Sequence, residues 1–561
     1  MKNLAGFNRD FRFTGQKHLC GCEKESRADL TTQTKTQRRR SMNRQMKTFN
    51  SNTCRILFAT CLSALCLVAL STRAATITVT NTNDSGAGSL RQAIADANDG
   101  DTIDFGVTGT IILSTGELLV DKSIIINGPG SDHLTVDGNH ASRVFQVQVG
   151  GGGTATIAGL AITNGNAEND WGGGIYNESS MLTVSNCTIS GNSASGTFGL
   201  GGGVFNDVGF SNGMLEVLNC TISGNSAGDN GGGIYNYGGG MTATLKVLNS
   251  TLSGNSAHFY GGGIYTISAY DGSAPADVLN STFSGNSAGR FGGGIYNRVF
   301  NGGSSPLKIL NSTFSDNSAF GGPSGGIANF SGTLQLGSTI LNASSISNDS
   351  GTIASLGYNL SSEDGGGFLT ATGDQINTTP MLGPLQDNGG PAFTHALLTG
   401  SPAIDAGDPN FDPNAFNPPM LYDQRGTGYD RVAHGRIDIG AFEIVIPSYA
   451  GQVQPPINAD GSSTFNVRRG VVPVRFNLTL GGVATCDLPP ATIAVTRTAG
   501  GVIGQVNESD YSGNADTGSN FRIGSCQYVY NVNARALGVG TYRVDILING
   551  QVVGNAVFGL N

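Results

Sequence analysis

Charge is scarce in this chain, and what there is lies unevenly. Asp, Glu, Lys and Arg make up 13 % of the 561 residues, about half the usual quarter. Residues 1–75 hold 14 Lys and Arg against 4 Asp and Glu. Subtraction from the totals of 31 and 40 leaves 17 against 36 in residues 76–561, a net −19. An acidic body without basic clusters argues against nucleic acid and anionic membranes as partners. Cysteine is sparse too: only Cys187, Cys220, Cys486 and Cys526 follow residue 75. With no CxxC spacing and no neighbouring His, they do not suit zinc. Helical spacing of apolar residues is nearly absent, and the 86 glycines follow no G-X-Y period, which sets aside helical bundles and collagen.

What the chain does have is repetition. Asn186-Cys-Thr-Ile-Ser-Gly-Asn-Ser-Ala194 returns at Asn219, Asn249, Asn280 and Asn311, in steps of 33, 30, 31 and 31 residues by subtraction. A second phrase, Gly172-Gly-Gly-Ile-Tyr176, recurs at Gly201, Gly231, Gly261 and Gly292, and decays to Gly325-Gly-Ile-Ala328. Such a period marks a solenoid, propeller or array. Local parity chooses among them. Leu182 and Val184 precede Asn186 by even steps, whereas Cys187 and Ile189 follow it by odd steps, so two period-2 strands meet at a bend occupied by Asn. With the Gly-Gly-Gly-Ile-Tyr segment this gives three short strands and three bends per roughly 30 residues, one coil of a parallel β-helix. A WD40-like blade would need about 40–45 residues and four strands. Asn at the bend is expected to stack into a hydrogen-bonded ladder. Right-handed winding follows from the crossover preference, and about eight to ten coils are expected.

The repeats GGGIYN and LxVxNCTxSGNSA resemble those of bacterial right-handed β-helix surface proteins, including polymorphic outer membrane protein repeats. That resemblance implies a cell-surface setting and says little about any reaction. Ahead of the repeats, residues 1–45 are basic and aperiodic. Residues 46–75, with the apolar run Ile56–Leu70 and the small residues of Thr72-Arg-Ala74, read as a secretory signal. The long segment before it suggests that translation starts at Met46 or Met42. Residues 76–130 open the solenoid, where Ser89–Asn98 is the one convincing amphipathic helix, placed to cover the open end of the core. The repeats fill 156–341. Residues 355–445, with Gly400-Ser-Pro-Ala-Ile-Asp-Ala-Gly-Asp408, Asp423-Gln-Arg-Gly426 and Arg436-Ile-Asp-Ile-Gly-Ala-Phe-Glu443, are similar to the choice-of-anchor Q region and close the β-helix unit at about 447. A Pro/Gly/Asn linker is expected over 448–462. Residues 463–561 have β-sandwich strand spacing, and Val472-Pro-Val-Arg-Phe476 and Gly540-Thr-Tyr-Arg-Val544 resemble the PxKF module of secreted bacterial proteins, with Arg475 in the place of its usual Lys. The fold class is therefore all-β: a right-handed parallel β-helix with an N-terminal helical cap, then a small β-sandwich.

Several side chains are candidates for chemistry. Tyr176, Phe205, Tyr235, Tyr265 and Tyr296 recur at one position, opposite in parity to Ile175 and its equivalents, and so form an outward aromatic row. Such a row suits a carbohydrate platform or simply steadies the coils. Asp405, Asp408, Asp423, Arg425, Arg436, Asp438 and Glu443 could form a metal or acid/base site. Their Gly- and Pro-rich turns point instead to buried ion pairs and caps closing the C-terminal end of the solenoid. Asp99, Asp101 and Asp104 could hold calcium or, more simply, cap turns. Cys187 and Cys220, one coil apart on the inward face, fit either packed thiols or a strained bridge. Cys486 and Cys526 share the terminal domain of an exported chain and are expected to be joined. Pectate lyases share the β-helix. Between 171 and 319, however, the sequence has no HxxH, no paired carboxylates and no Arg/Lys cluster; Arg290, Arg298 and the loop residue His258 are scattered. The sequence therefore reads as a secreted or surface-displayed binding, adhesion or structural protein for a glycan or cell-surface component, without cofactor or mature membrane span. A polysaccharide-degrading enzyme is the alternative.

Overall fold

The computed structural model describes residues 74–561 apart from 210, 322–324, 445–448, 507–514 and 549. The signal segment through Arg73 and the region before it lie outside the described residues. Three long parallel sheets of eleven, ten and nine strands wind round one core in about nine turns. In one coil the chain runs along Met181–Ser185 in the first sheet and Thr188–Ser190 in the second, then through Val204–Asp207 in the third before returning at Gly213–Leu218. A fourth, five-stranded ribbon of two-residue strands, Ser193–Ala194 and its equivalents, was not anticipated.

Alternation places the apolar residues where parity requires. Leu182, Val184, Ile189 and Ile175 are fully buried, as are Leu215, Val217, Ile222 and Val204 one coil on. Where the Leu column shrinks to Ala276, the neighbouring column enlarges to Phe283, stacked on Phe314 at 4.6 Å. Core volume is thereby kept roughly level from coil to coil. At the bend, Asn186, Asn219, Asn249, Asn280 and Asn311 all take the left-handed conformation, φ 49–53°. This single residue reverses the parity, and Asn tolerates it best after Gly. The Gly triplets have a different cause. A Cβ on Gly173 would lie 2.2 Å from the carbonyl oxygen of Ser193 and 2.5 Å from that of Gly202, so the tight corner admits no side chain.

Polar side chains run along the axis in four columns. The expected ladder at the bend exists: Asn219, Asn249 and Asn280 donate to the preceding Asn at 3.3, 3.2 and 2.8 Å. Two further Asn ladders are buried. In one, Asn192, Asn225, Asn255 and Asn286 each donate from Nδ2 to the next coil's Oδ1 at 2.9–3.0 Å, which also accepts the backbone N–H. In the other, the Asn of each Ile-Tyr-Asn links Asn177 to Asn206 and Asn206 to Asn236 at 2.7 Å, with Thr266 substituting once. The fourth column is Cys187, Cys220, Ser250, Ser281, Ser312 and Thr339. Each residue's N–H donates to the next side chain, and each side chain returns to the carbonyl two residues before it. Cys187 and Cys220 are thus free thiols in a serine column.

The cap is a helix over Leu90–Asp96, with Ser89 as its N-cap and Leu90, Ala93, Ile94 and Ala97 in the solenoid core. Asp84 pins it by accepting from Arg91 and from the backbone and hydroxyls of Ser114 and Thr115. The terminal domain is a sandwich of two five-stranded sheets closing on Val474, Phe476, Tyr528, Tyr530 and Phe558. It begins earlier than expected. Tyr449–Gln454, read as linker, pairs antiparallel with Val471–Leu480. Cys486 and Cys526 are joined, Cα–Cα 4.7 Å.

Asn255→Ala would strip partners from the backbone N–H and Nδ2 of Asn225 and from the carbonyl of Ile222. A loss of about 3 kcal/mol or more is expected, against less than about 1.5 kcal/mol for Asn249→Gly, which keeps the left-handed bend. Chemical denaturation of the two variants checks this. Cys486→Ser with Cys526→Ser frees a 40-residue loop and should lower the sandwich's stability by about 3–4 kcal/mol. Its own unfolding transition should shift while that of the solenoid stays in place.

Candidate functional site

The aromatic row lies on the outer face of the third sheet, as parity predicts, in a cluster separate from the core. It is not exposed. Tyr176, Phe205, Tyr235, Tyr265 and Tyr296 retain only 2–7 % of their surface, with rings 4.9–5.5 Å apart from coil to coil. Burial raises the phenol of Tyr296 to about 12 and those of Tyr176, Tyr235 and Tyr265 further still. The row's cover comes from the chain just before each Gly triplet, where Leu200 and Tyr260 pack over it.

That covering position forms a ridge of its own. Trp171, Leu200, Asn230, Tyr260 and Phe291 occupy it in successive coils, and bridges connect Trp171 to Leu200, Leu200 to Asn230 and Tyr260 to Phe291. Four steps of about 4.8 Å give a ridge of about 19 Å. Trp171 stacks on Phe205 at 5.4 Å and remains 37 % exposed; Phe291, 38 % exposed, stacks on Tyr260 at 6.1 Å. Arg290 lies over the Phe259 ring at 4.8 Å and donates to the Tyr260 hydroxyl at 3.2 Å. His258 is exposed beside Phe259, as its loop position suggested. Burial holds nearby Asp229 up at about 6 against the pull of His258 and Arg290. The sequence signal for this ridge was available: it is the variable position directly before each Gly triplet.

The acid/base candidates lie elsewhere, in an irregular strap that follows the last coil. The strap does not close the end of the solenoid. It runs back along the second sheet, where Gln424 bonds Thr251 at 2.6 Å and Thr282 at 2.5 Å, and Thr313 accepts from the N–H of Ala441. Met420 sits on the outward Leu248 and Leu279. Within it Arg425 pairs with Asp423 at 2.6 Å between the rings of Tyr429 and Phe442, and Arg431 faces Glu443 at 3.9 Å with no exposure on either side chain. Asp438 caps the N–H groups of Asp405 and Ile444, and Arg436 binds the carbonyls of Gly407 and Ala406. Asp408 makes a local turn with Asn410. Asp423 with Arg425 and Glu443 with Arg431 are the ion pairs, while Asp408, Asp438 and Arg436 bond backbone groups, so the reading as ion pairs and turn caps fits, although their place in the fold is the flank. The three N-terminal aspartates also work separately: Asp99 accepts from Ser123, Asp101 from Ala75 and Asn98, and Asp104 from Asn127.

Burial pushes Glu443 up to about 8, opposed by Arg431 and reinforced by Asp438. Its ordinary value is near 4.5. The raised folded-state value means that its contribution is fully present below about 4.5 and is lost as pH rises through 8. The melting temperature should therefore fall across that window in the native chain, and less steeply in Glu443→Gln, as scanning calorimetry at stepped pH would show.

Two family profiles match the chain. That of the right handed beta helix region covers residues 101–288, and that of the Chlamydia polymorphic membrane protein repeat covers residues 280–298. No match is found among curated proteins. Among the described residues no helix is long and apolar enough to cross a membrane. The chain has a right-handed β-helix fold, and its stretch 280–298 is similar to the Chlamydia polymorphic membrane protein repeat.

Proposed function

We propose that this is an exported, surface-displayed binding protein that holds glycan along the ridge from Trp171 to Phe291, without performing a reaction. The observation carrying the proposal is that ridge: half-exposed aromatic side chains in axial register on one edge of a rigid solenoid, supported from below by the buried Tyr/Phe row. Flat rings pack against the C–H faces of sugars, and Arg290 with the Tyr260 hydroxyl adds donors beside them. Export rests on the segment 46–75 and on the surface-protein repeats. The choice-of-anchor Q-like strap and PxKF-like sandwich would be attachment modules. A polysaccharide lyase would need a base and a carboxylate-held cation facing an open cleft. The strap's charged groups are taken up by two buried ion pairs and by backbone caps, which supports the binding reading.

The full secreted chain applied to a glycan array, with lyase activity followed on the same samples, tests this. Tyr260→Ala with Phe291→Ala should weaken binding about tenfold or more and lower the melting temperature only modestly, since Tyr260 also covers the buried row. Tyr235→Ala should instead cost about 3 kcal/mol or more of stability. Retention of no glycan, or turnover of one, would sink the proposal.

A further inference from the structure

At the Trp171 end of the ridge the edge of the solenoid is hollowed. A groove of about 730 Å³ lies between the turns 115–119, 140–143 and 166–170. Glu117 and Leu119 also border a second hollow, of about 380 Å³, against the capping helix. The groove is built round Arg143, whose side chain is 9 % exposed. Its Nε donates to Glu117, its Nη2 to Asp170 at 2.5 Å and its Nη1 to the carbonyl of Trp171 at 2.5 Å, and it lies 5.2 Å from the Tyr176 ring. One buried guanidinium thus fixes groups from three successive coils. Glu117 and Asp170 each give one oxygen to Arg143, yet their side chains stay 32 % and 49 % exposed, leaving acceptor capacity towards solvent. Glu168 and His140 are exposed on the same lining, so three carboxylates, one guanidinium and one imidazole border the groove. Apolar surface adjoins them at Leu119, which lines the groove and is 45 % exposed.

A ligand for this groove must bring hydrogen-bond donors and a flat apolar face, and it cannot bring negative charge. We infer that the groove is the site for the end of an amino-sugar glycan. The protonated amine sits among Glu117, Glu168 and Asp170, hydroxyls donate to the remaining carboxylate oxygens, and the sugar's C–H face lies on Leu119. Charge-assisted bonds of this kind are about twice as strong as neutral ones, and the Arg143 clamp holds the carboxylates in place before the ligand arrives. Glycans built of uronates are repelled. The inference rests on the glycan-binding reading and adds to it both a place and a sugar class.

Calorimetric titration of the full secreted chain, at mildly acidic pH where the amine is protonated, uses four probes: a chitosan oligosaccharide, a neutral cello-oligosaccharide, an oligogalacturonate and an oligolysine peptide. The chitosan oligosaccharide should bind at least tenfold more tightly than the cello-oligosaccharide, with no detectable binding of the uronate. Glu168→Arg, an exposed change, should cost at least tenfold in chitosan affinity at an unchanged melting temperature. Asp170→Asn, which can still accept from Arg143, should weaken it as well. Equal affinity for the three glycans, or chitosan binding indifferent to Glu168→Arg but lost in the Tyr260→Ala, Phe291→Ala variant, would overturn the groove and leave the glycan reading standing. Oligolysine binding as tightly as chitosan would reduce the site to bare electrostatics and overturn the sugar assignment. Binding of no glycan at all would overturn both.

Discussion

Each coil of this solenoid leaves the N–H and C=O groups of its strands pointing along the axis, and the neighbouring coils must meet them, because an unpaired buried backbone group costs as much as a lost hydrogen bond. Strands do this readily; corners do not. Here the corners are satisfied by side chains in axial register. Asn225 accepts the N–H of Asn192, and Ser281 accepts that of Ser250. Most other features follow from that requirement. Register is kept even where the coil shortens, Ile327 pairing Ile346 and Thr333 pairing Thr352, because a slip would unpair several columns at once. Gly fills the triplets because strand backbones approach there to within a side chain's radius. Phe283 fills the core in the coil where the neighbouring column narrows to Ala276.

The parts of this fold legible in the sequence are those governed by local period. The alternation of Leu182, Val184 and Ile189 gives strand direction, the parity change locates the bend at Asn186, and the spacing from Ser89 to Ala97 gives the cap. The parts that were not legible depend on what lies opposite. Asn192 and Asn186 belong to the same nine-residue phrase, and nothing in their identity says that the first is wholly buried and the second faces outward. Parity placed Tyr235 on the outer face correctly, but direction is not exposure: the turn carrying Leu200 and Tyr260 folds over the row. Tyr449–Gln454 looked like a linker because its alternation, broken by Gly451, is weak on its own and is completed only by Val471–Leu480.

The strap shows the same limit at longer range. Its Asp, Arg and Glu sit beside Gly in turns, which the sequence registers as capping, and capping is what Asp423 and Asp438 do. Its course along the flank is set by residues over a hundred positions away. Outward Leu218, Leu248, Leu279 and Leu310 form an apolar column on the second sheet's border, and Phe411, Phe416 and Met420 lie against it. No period announces that match, since the Leu column reads locally as one residue too many in each strand.

Within so regular a scaffold, the positions that repeat and the positions that vary carry different burdens. Asn, Gly, Ser and the Ile/Leu/Val columns recur because each must mate with its copy one coil away, so their identity is fixed by self-complementarity and says nothing about a partner. A residue free of that constraint can answer to something outside the molecule. The position before each Gly triplet reads Trp, Leu, Asn, Tyr and Phe in turn, and the turns at 117, 143 and 170 carry Glu, Arg and Asp in a chain otherwise poor in charge. The ridge's side chains are not needed to close a corner, since the backbone bonds there are already made by Gly172 to Leu200 and Gly231 to Tyr260, whereas Arg143 also ties down the carbonyl of Trp171. Exposed aromatic and carboxylate side chains, placed where the corners' backbone bonds do not require them, are therefore the part of this molecule that points outward.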